Sequence, residues 1–146
     1  MNNTISEIEL KYSPNGLNNN RPKIVSSKSA YKVLLDIWNM DTIELYEEFK
    51  VLLLNRANEV LGVYTVSKGG LHATVVDLKL LFAVVLKSAS SCIILAHNHP
   101  SGNLKPSEAD TKLYLKAKKV ADYLDVNILD NLIITKTEYY SFVDEG

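Results

Sequence analysis

The alternation of strand-like and helix-like apolar segments most constrains what this chain can fold into. Residues 47–54 and 91–97 are short apolar runs typical of strands. Between them, residues 78–89 carry apolar side chains at helical spacing behind Asp77, a favourable helix N-cap. Ser107 begins a further helix. Its apolar stripe comprises Leu113, Tyr114, Ala117, Val120, Ala121 and Leu124.

The N-terminal part of the predicted domain adds helical signals of its own. Ser26 and Ser27 are candidate N-caps of a helix that contains Trp38. Asp41 could cap a second short helix that reaches Leu45. We therefore expect helical structure to precede the first strand.

Two hairpins are predicted, one near each end of the sheet. Residues 47–54 and 60–66 flank a turn at 55–58, whereas residues 126–135 and 139–143 form two closing strands. A chain that mixes hairpins with strand–helix–strand units favours an α+β fold or a mixed α/β sheet over a doubly wound sheet.

Composition excludes several classes of protein. The chain has 146 residues, with 16 Lys+Arg against 17 Asp+Glu, so no strongly basic nucleic-acid arm is present. The longest apolar run, residues 80–86, is far shorter than the roughly 18 residues of a membrane span. The single cysteine, Cys92, excludes an internal disulfide framework. The polar opening residues resemble no signal segment, so we expect a cytoplasmic enzyme or binding domain.

The Asn-rich opening differs from the rest of the chain. Residues 1–26 show no sustained hydrophobic period and are expected to form a flexible N-terminal arm. Residues 27–146 are expected to form one domain of ordinary size.

Three residues have the types and spacing of a metal site. His97 and His99 stand at positions i and i+2 of a strand end, so their side chains point to the same side. Two imidazoles on one side can bind one metal ion at about 2.0–2.1 Å, with a carboxylate as a usual third ligand. Asp110 can supply that carboxylate, because it lies on the inward stripe of the helix after Ser107. No fourth protein ligand is obvious nearby.

Each of these residues also has a simpler interpretation. His97 and His99 could be polar residues at a strand end, and Ser107 with Asp110 could form only a helix capping box. The combination is more specific than its parts. The pattern H-x-H-x(7)-S-x-x-D arises by chance in on the order of one chain in several thousand of this length.

This pattern resembles the signature of the JAMM (JAB/MPN+) zinc hydrolases. The run HNHPSG at residues 97–102, followed by Pro106 and Ser107, is similar to the RadC family within them. The resemblance implies a three-layer, cytidine-deaminase-like fold with a central mixed sheet flanked by helices. It also implies that His97, His99 and Asp110 bind one Zn²⁺ per chain and that Ser107 stabilises an oxyanion.

The family also carries a glutamate on its first core strand, and two residues compete for that role. If Phe49 faces the core, strand alternation puts Glu47 on the same side and leaves Glu48 with Lys50 outside. Glu47 also stands two residues before the Phe, where RadC-like sequences have their glutamate. We therefore predict Glu47 as the catalytic base, although both glutamates could be solvated charges at a strand start.

Two departures from the family pattern bear on function. Asp130 and Asn131 stand where RadC-like chains usually have Asp-His. Longer RadC proteins also carry an N-terminal domain similar to helix-hairpin-helix modules, which an arm of about 26 residues is too short to form. A role in DNA repair therefore lacks its main structural support in this chain.

The remaining candidates have structural interpretations. Cys92 has the opposite strand parity to His97 and is expected to be a buried thiol. Residues 67–70 are expected to form a loop, and His72 lies in a predicted extended segment at 71–76. The basic cluster of the last long helix is expected to be a solvated face without the aromatic residues that favour nucleic-acid binding. It comprises Lys116, Lys118 and Lys119.

Taken together, these features predict a zinc-dependent hydrolase that cleaves amide or isopeptide bonds of a protein or peptide substrate. Glu47 and Ser107 would be its catalytic residues and Zn²⁺ its cofactor. The alternative is a non-catalytic, metal-stabilised binding module associated with DNA repair or a partner protein. A purely structural zinc site would more often be closed by a fourth protein ligand.

Overall fold

The computed structural model describes residues 4–9, 11–13, 20–69 and 75–146. Helices and strands alternate along this part of the chain. In order they are α1 (Ser27–Ile37), β1 (Glu48–Leu54), β2 (Val60–Lys68), α2 (Leu78–Lys87), β3 (Cys92–Asn98), α3 (Glu108–Tyr123), β4 (Asn127–Ile134), β5 (Tyr139–Ser141) and α4 (Phe142–Glu145).

The strands form one five-stranded mixed sheet in the order β2-β1-β3-β4-β5. β1 pairs antiparallel with β2 and β3, whereas β3 and β4 are parallel and are joined through α3. β5 closes the sheet antiparallel to β4. This topology confirms the predicted mixed α/β class and both hairpins.

Helices cover both faces of the sheet, and each face has its own apolar cluster. On one face, Leu34 and Trp38 of the α1 region pack with Leu52 of β1. On the other, Phe82 of α2 and Ala117 of α3 pack with other residues of β1 and β3. The resulting helix–sheet–helix layering agrees with the fold that the family resemblance implies.

Because both faces are covered, β1 is buried along its whole length. Glu48 and Lys50, predicted to lie outside, are instead buried beneath the α1 layer. Lys50 donates to Thr65 Oγ1 at 2.7 Å, lies 3.7 Å from Glu48 Oε1 and stands over the Trp38 ring. Strand alternation correctly separated the two faces but could not show that the second one was also covered.

Three local predictions were wrong. Residues 41–45 form turns instead of a helix, and Asn98 Nδ2 donates to the Ile43 carbonyl, which in a helix would accept the N–H of residue 47. β2 continues to Lys68, where a loop was predicted, because Glu48 of β1 still offers it a partner. The last strand ends early, since Ser141 caps the single helical turn α4.

Part of the N-terminal segment lies against the first hairpin. Ile24 is buried, and its N–H donates to Asn58 O at 2.9 Å, while Val60 N–H donates to Pro22 O at 2.8 Å. The division into residues 1–26 and a domain at 27–146 stays a prediction. His72 lies outside the described residues, and no helix in the described part of the chain is long and apolar enough to cross a membrane.

Candidate metal centre

The end of β3 brings two imidazoles together. His99 N–H donates to Ile134 O at 3.3 Å, so the backbone remains extended beyond the last residue of the strand. Side chains two residues apart on an extended backbone point the same way. The Nε2 atoms of His97 and His99 are accordingly only 3.1 Å apart.

The start of α3 adds a carboxylate to this pair. Ser107 and Asp110 form a capping box, in which Ser107 Oγ accepts the Asp110 N–H and Asp110 Oδ2 accepts the Ser107 N–H. The cap fixes the Asp110 carboxylate toward β3. Its Oδ1 lies 3.3 Å from His97 Nε2, and its Oδ2 lies 3.1 Å from His99 Nε2. The capping and site interpretations of these two residues are therefore compatible.

The residue before β1 completes the cluster. Glu47 is only 8% exposed, and its Oε1 lies 4.0 Å from His97 Nε2. Glu47 shares the Phe49 face of the strand, whereas Glu48 is turned toward Lys50 on the opposite face. One ligand atom from each of Glu47, His97, His99 and Asp110 lies within 4.8 Å of the others. These four side chains could hold a metal ion.

The hydrogen-bond chemistry of the cluster fits a cation. Asn103 O lies 2.6 Å from His99 Nδ1, and because a carbonyl can only accept, Nδ1 carries the proton. Neutral His99 then directs a lone pair from Nε2 toward the Asp110 carboxylate and the other imidazole. Acceptors that face one another in a buried site need a shared cation between them. Metal-bound histidines typically donate their second ring N–H to a carbonyl or carboxylate, as His99 donates to Asn103 O.

The pKa values of the cluster reflect the same arrangement. Burial lowers the pKa of His99, but its hydrogen bonds to Asp110 and to the Asn103 carbonyl outweigh burial and raise it above the ordinary value. Burial likewise raises the pKa of Asp110, but His97, His99 and the Ser107 N–H outweigh it and hold this pKa far below its usual range. The site therefore favours an ionised carboxylate facing positive charge.

A small cleft of about 70 Å³ opens onto the cluster. Glu47, His97, Ser107 and Asp110 contribute to its walls, so both predicted catalytic residues face the same space as two of the predicted ligands. Phe49 stacks on the His97 ring with an interplanar angle of 8° and supports it from within the core. The apolar part of the wall consists of Phe49, Val76, Ala109 and Leu113.

The structure adds one possibility that the sequence did not indicate. No fourth protein ligand was obvious from the sequence, yet the Glu47 carboxylate lies close enough to act as one. Asn98, which stands between the two histidines, was also not recognised, although its position inside the motif was a signal. Cys92 is partly buried and packs in the α1-side cluster, away from His97 as its parity predicted.

Comparison with known proteins identifies the family. The model of the RadC-like JAB domain matches residues 24–146. The chain belongs to the RadC-like JAB domain family.

Curated relatives agree with this assignment. A UPF0758 protein of Flavobacterium johnsoniae is 50% identical over 125 residues, which cover 85% of this chain and 53% of the relative. A UPF0758 protein of Porphyromonas gingivalis is 38% identical over 127 residues, which cover 86% and 55%. The chain thus spans about half the length of these relatives.

Proposed function

We propose that the protein is a zinc-dependent hydrolase of the JAMM type that cleaves amide or isopeptide bonds in a protein or peptide. The observation that carries the proposal is the convergence of a buried glutamate on a His₂Asp cluster, at the wall of an open cleft. Membership of the JAB domain family supports the same reaction class.

The three ligands would be His97, His99 and Asp110. Two imidazoles and a carboxylate suit several divalent metals, so the choice of zinc rests on the family resemblance. A bound Zn²⁺ would lower the pKa of a coordinated water to about 7 and polarise a substrate carbonyl.

Glu47 would act as the general base. Its Oε1 lies 4.0 Å from a ligand nitrogen, which places the carboxylate within reach of a water in the cleft. Glu47 accepts a proton from the attacking water and later delivers it to the leaving amine. Its low exposure limits exchange of that proton with bulk solvent.

Ser107 would stabilise the negative charge that develops on the substrate oxygen. Its Oγ accepts the Asp110 N–H at 3.0 Å, so its own hydrogen can be donated into the cleft. A fixed donor of this kind typically contributes about 10²–10³ in rate.

One observation favours a second function, in which the metal serves structure alone. If Glu47 binds the metal directly, the site has four protein ligands and resembles a closed structural site. The protein would then be a non-catalytic, metal-stabilised module that binds a partner protein or DNA.

Metal binding and hydrolysis of Glu47→Gln distinguish the two functions. A panel of peptide and isopeptide amides identifies a bond that the zinc-loaded wild type cleaves. If the protein is a hydrolase, Glu47→Gln should bind zinc with unchanged affinity and lose cleavage. Weakened zinc binding in this variant, together with an inert wild type, would support the closed site and contradict the hydrolase.

A further inference from the structure

Asn98 is a fully buried polar residue at the centre of the motif. It is 0% exposed and ends β3 between the two histidines. By strand alternation its side chain points to the α1 face, opposite to the imidazoles. Burying a carboxamide costs free energy unless its polar atoms are satisfied, so its hydrogen bonds show what it holds.

The carboxamide of Asn98 makes three hydrogen bonds to one short segment of backbone. Its Nδ2 donates to Ile43 O at 2.7 Å and to Tyr46 O at 2.9 Å. Its Oδ1 accepts the Glu48 N–H at 2.8 Å. Both amide hydrogens are therefore used, and the segment before β1 is tied to the end of β3.

Two of these bonds flank Glu47 directly. Tyr46 O belongs to the peptide unit before Glu47, and the Glu48 N–H belongs to the peptide unit after it. The register between β1 and β3 ends at the pair Phe49–His97, so on the β3 side Glu47 lies beyond the paired backbone, whereas on the β2 side Glu47 O still accepts the Gly69 N–H at 2.8 Å. Asn98 thus holds the two peptide groups that flank Glu47 on the side of β3, where the pairing between β1 and β3 has ended.

We propose that Asn98 is the positioning residue of Glu47, an inference that rests on the proposed function of this glutamate. The backbone of Asn98 connects the two histidines, while its side chain fixes the segment that carries the base. A displacement of about 1 Å in an active site can reduce the rate by 10²-fold. Because Asn98 connects the segment that carries Glu47 with the strand that carries the two histidines, it sets the distance between the base and the ligands.

Three variants separate positioning from general stability. Asn98→Ala removes all three bonds, whereas Asn98→Asp keeps the acceptor for the Glu48 N–H and loses both donors. Leu34→Ala is the matched control, because Leu34 is equally buried in the α1-side cluster, which also contains Ile43, and its side chain makes no hydrogen bond to the 43–48 segment. All measurements use the zinc-loaded full chain, apart from one cobalt-substituted series.

Hydrogen exchange tests the hydrogen bonds without reference to activity. We expect backbone amides of residues 43–48 to exchange at least about 10-fold faster in Asn98→Ala than in a Leu34→Ala protein of similar melting temperature. Asn98→Asp is expected to show an intermediate increase. Equal exchange of this segment in Asn98→Ala and the control would overturn the proposal.

Two further measurements connect these bonds with Glu47. With Co²⁺ in place of Zn²⁺, we expect Asn98→Ala to alter the visible absorption as Glu47→Gln does, while metal stoichiometry is retained. On an amide cleaved by the wild type, kcat should fall about 10–100-fold with little change in KM. In the Glu47→Gln background, Asn98→Ala should have no further effect on kcat.

The outcomes separate this proposal from the function on which it rests. A Glu47→Gln protein that matches the wild type in cobalt spectrum and in hydrolysis would contradict the role of Glu47, and the positioning role of Asn98 with it. A Glu47→Gln protein that differs from the wild type, beside an Asn98→Ala protein that does not, would overturn the Asn98 proposal alone. An equal loss of kcat from Asn98→Ala in both backgrounds would also overturn it.

Discussion

Two carboxylates of this protein, the half-buried Asp110 and the buried Asp130, lie in opposite kinds of surroundings. Asp130 accepts hydrogen bonds from Ser141 Oγ at 2.6 Å, from the Asn131 N–H at 2.7 Å and from the Val143 N–H at 3.3 Å. Every partner is a donor of the protein itself. Asp130 therefore holds the middle of β4 to the β5–α4 turn and has no need of an external ion.

Asp110 faces nitrogen atoms that need a shared proton or metal ion. The Asn103 carbonyl fixes the proton of His99 on Nδ1, the ring nitrogen that does not face Asp110. The pKa values follow the same division. Burial raises the pKa of Asp130 despite its hydrogen bonds, whereas the pKa of Asp110 is lowered despite its burial. The difference shows that the partners of a buried carboxylate, more than its burial, distinguish a structural group from a candidate ligand.

The largest effect is expected for the base next to Asp110. Glu47→Gln should lower kcat by about 10²–10⁴-fold, because glutamine keeps the shape of the side chain and cannot accept the proton. Glu48→Gln is the matched control, since Glu48 is equally buried on the other face of β1. Steady-state kinetics on an amide cleaved by the wild type measures both. Equal activity of Glu47→Gln and the wild type would exclude Glu47 as the base.

Removing a predicted metal ligand should show that the Asp110 cluster, unlike the Asp130 cluster, depends on a metal ion. His97→Ala is expected to lose the metal and the stabilisation that the metal provides, about 2.7 kcal/mol when free zinc is 100 times the Kd. Thermal unfolding with zinc and with a chelator measures this difference. The wild type should lose stability on chelation and His97→Ala should not. Full metal occupancy of His97→Ala would contradict the ligand assignment.

The opposite behaviour is expected at Asp130. Asp130→Ala leaves the buried Ser141 hydroxyl and two backbone N–H groups without their acceptor, which should lower the free energy of unfolding by about 1–3 kcal/mol. Metal content should be unchanged. Urea denaturation and elemental analysis of the same preparation test both parts. Loss of metal in Asp130→Ala would contradict the distinction between a structural carboxylate at Asp130 and a metal-binding one at Asp110.

A smaller, graded effect is expected from pH. Metal ions and protons compete for His99, and the pKa of His99 in the metal-free protein is raised above its ordinary value of 6.5. Zinc affinity should therefore be greatest above this raised pKa and fall as the pH drops through it. Chelator competition at a series of pH values tests the sign. Affinity that stays constant between about pH 8 and 5 would be incompatible with histidine ligands.

The sequence predicted the parts of this molecule that depend on short spacing. Alternation along β3 correctly put His97 and His99 on one side, and the apolar stripe of the helix after Ser107 correctly turned Asp110 inward. The same argument failed for Glu48 and Lys50, because alternation separates two faces but does not show whether a helix covers each one. The α1 layer that buries them is assembled from residues distant in sequence.

Asn98 illustrates the other limit of sequence reasoning. Its three partners lie between 50 and 55 residues earlier in the chain, so no local pattern reveals them. The turn at 41–45 that replaces the predicted helix belongs to the segment that Asn98 holds. Long-range hydrogen bonds of this kind decide local structure where intrinsic propensity is weak.

Metal analysis of the purified wild type beside Asp110→Ala tests most directly whether these side chains bind a metal ion. Each protein is loaded with zinc, freed of excess metal and analysed for zinc per chain, and circular dichroism confirms that both are folded. We expect about one zinc per chain in the wild type and almost none in Asp110→Ala, since two imidazoles alone bind weakly. A zinc-free wild type, or equal zinc in the two folded proteins, would contradict this expectation.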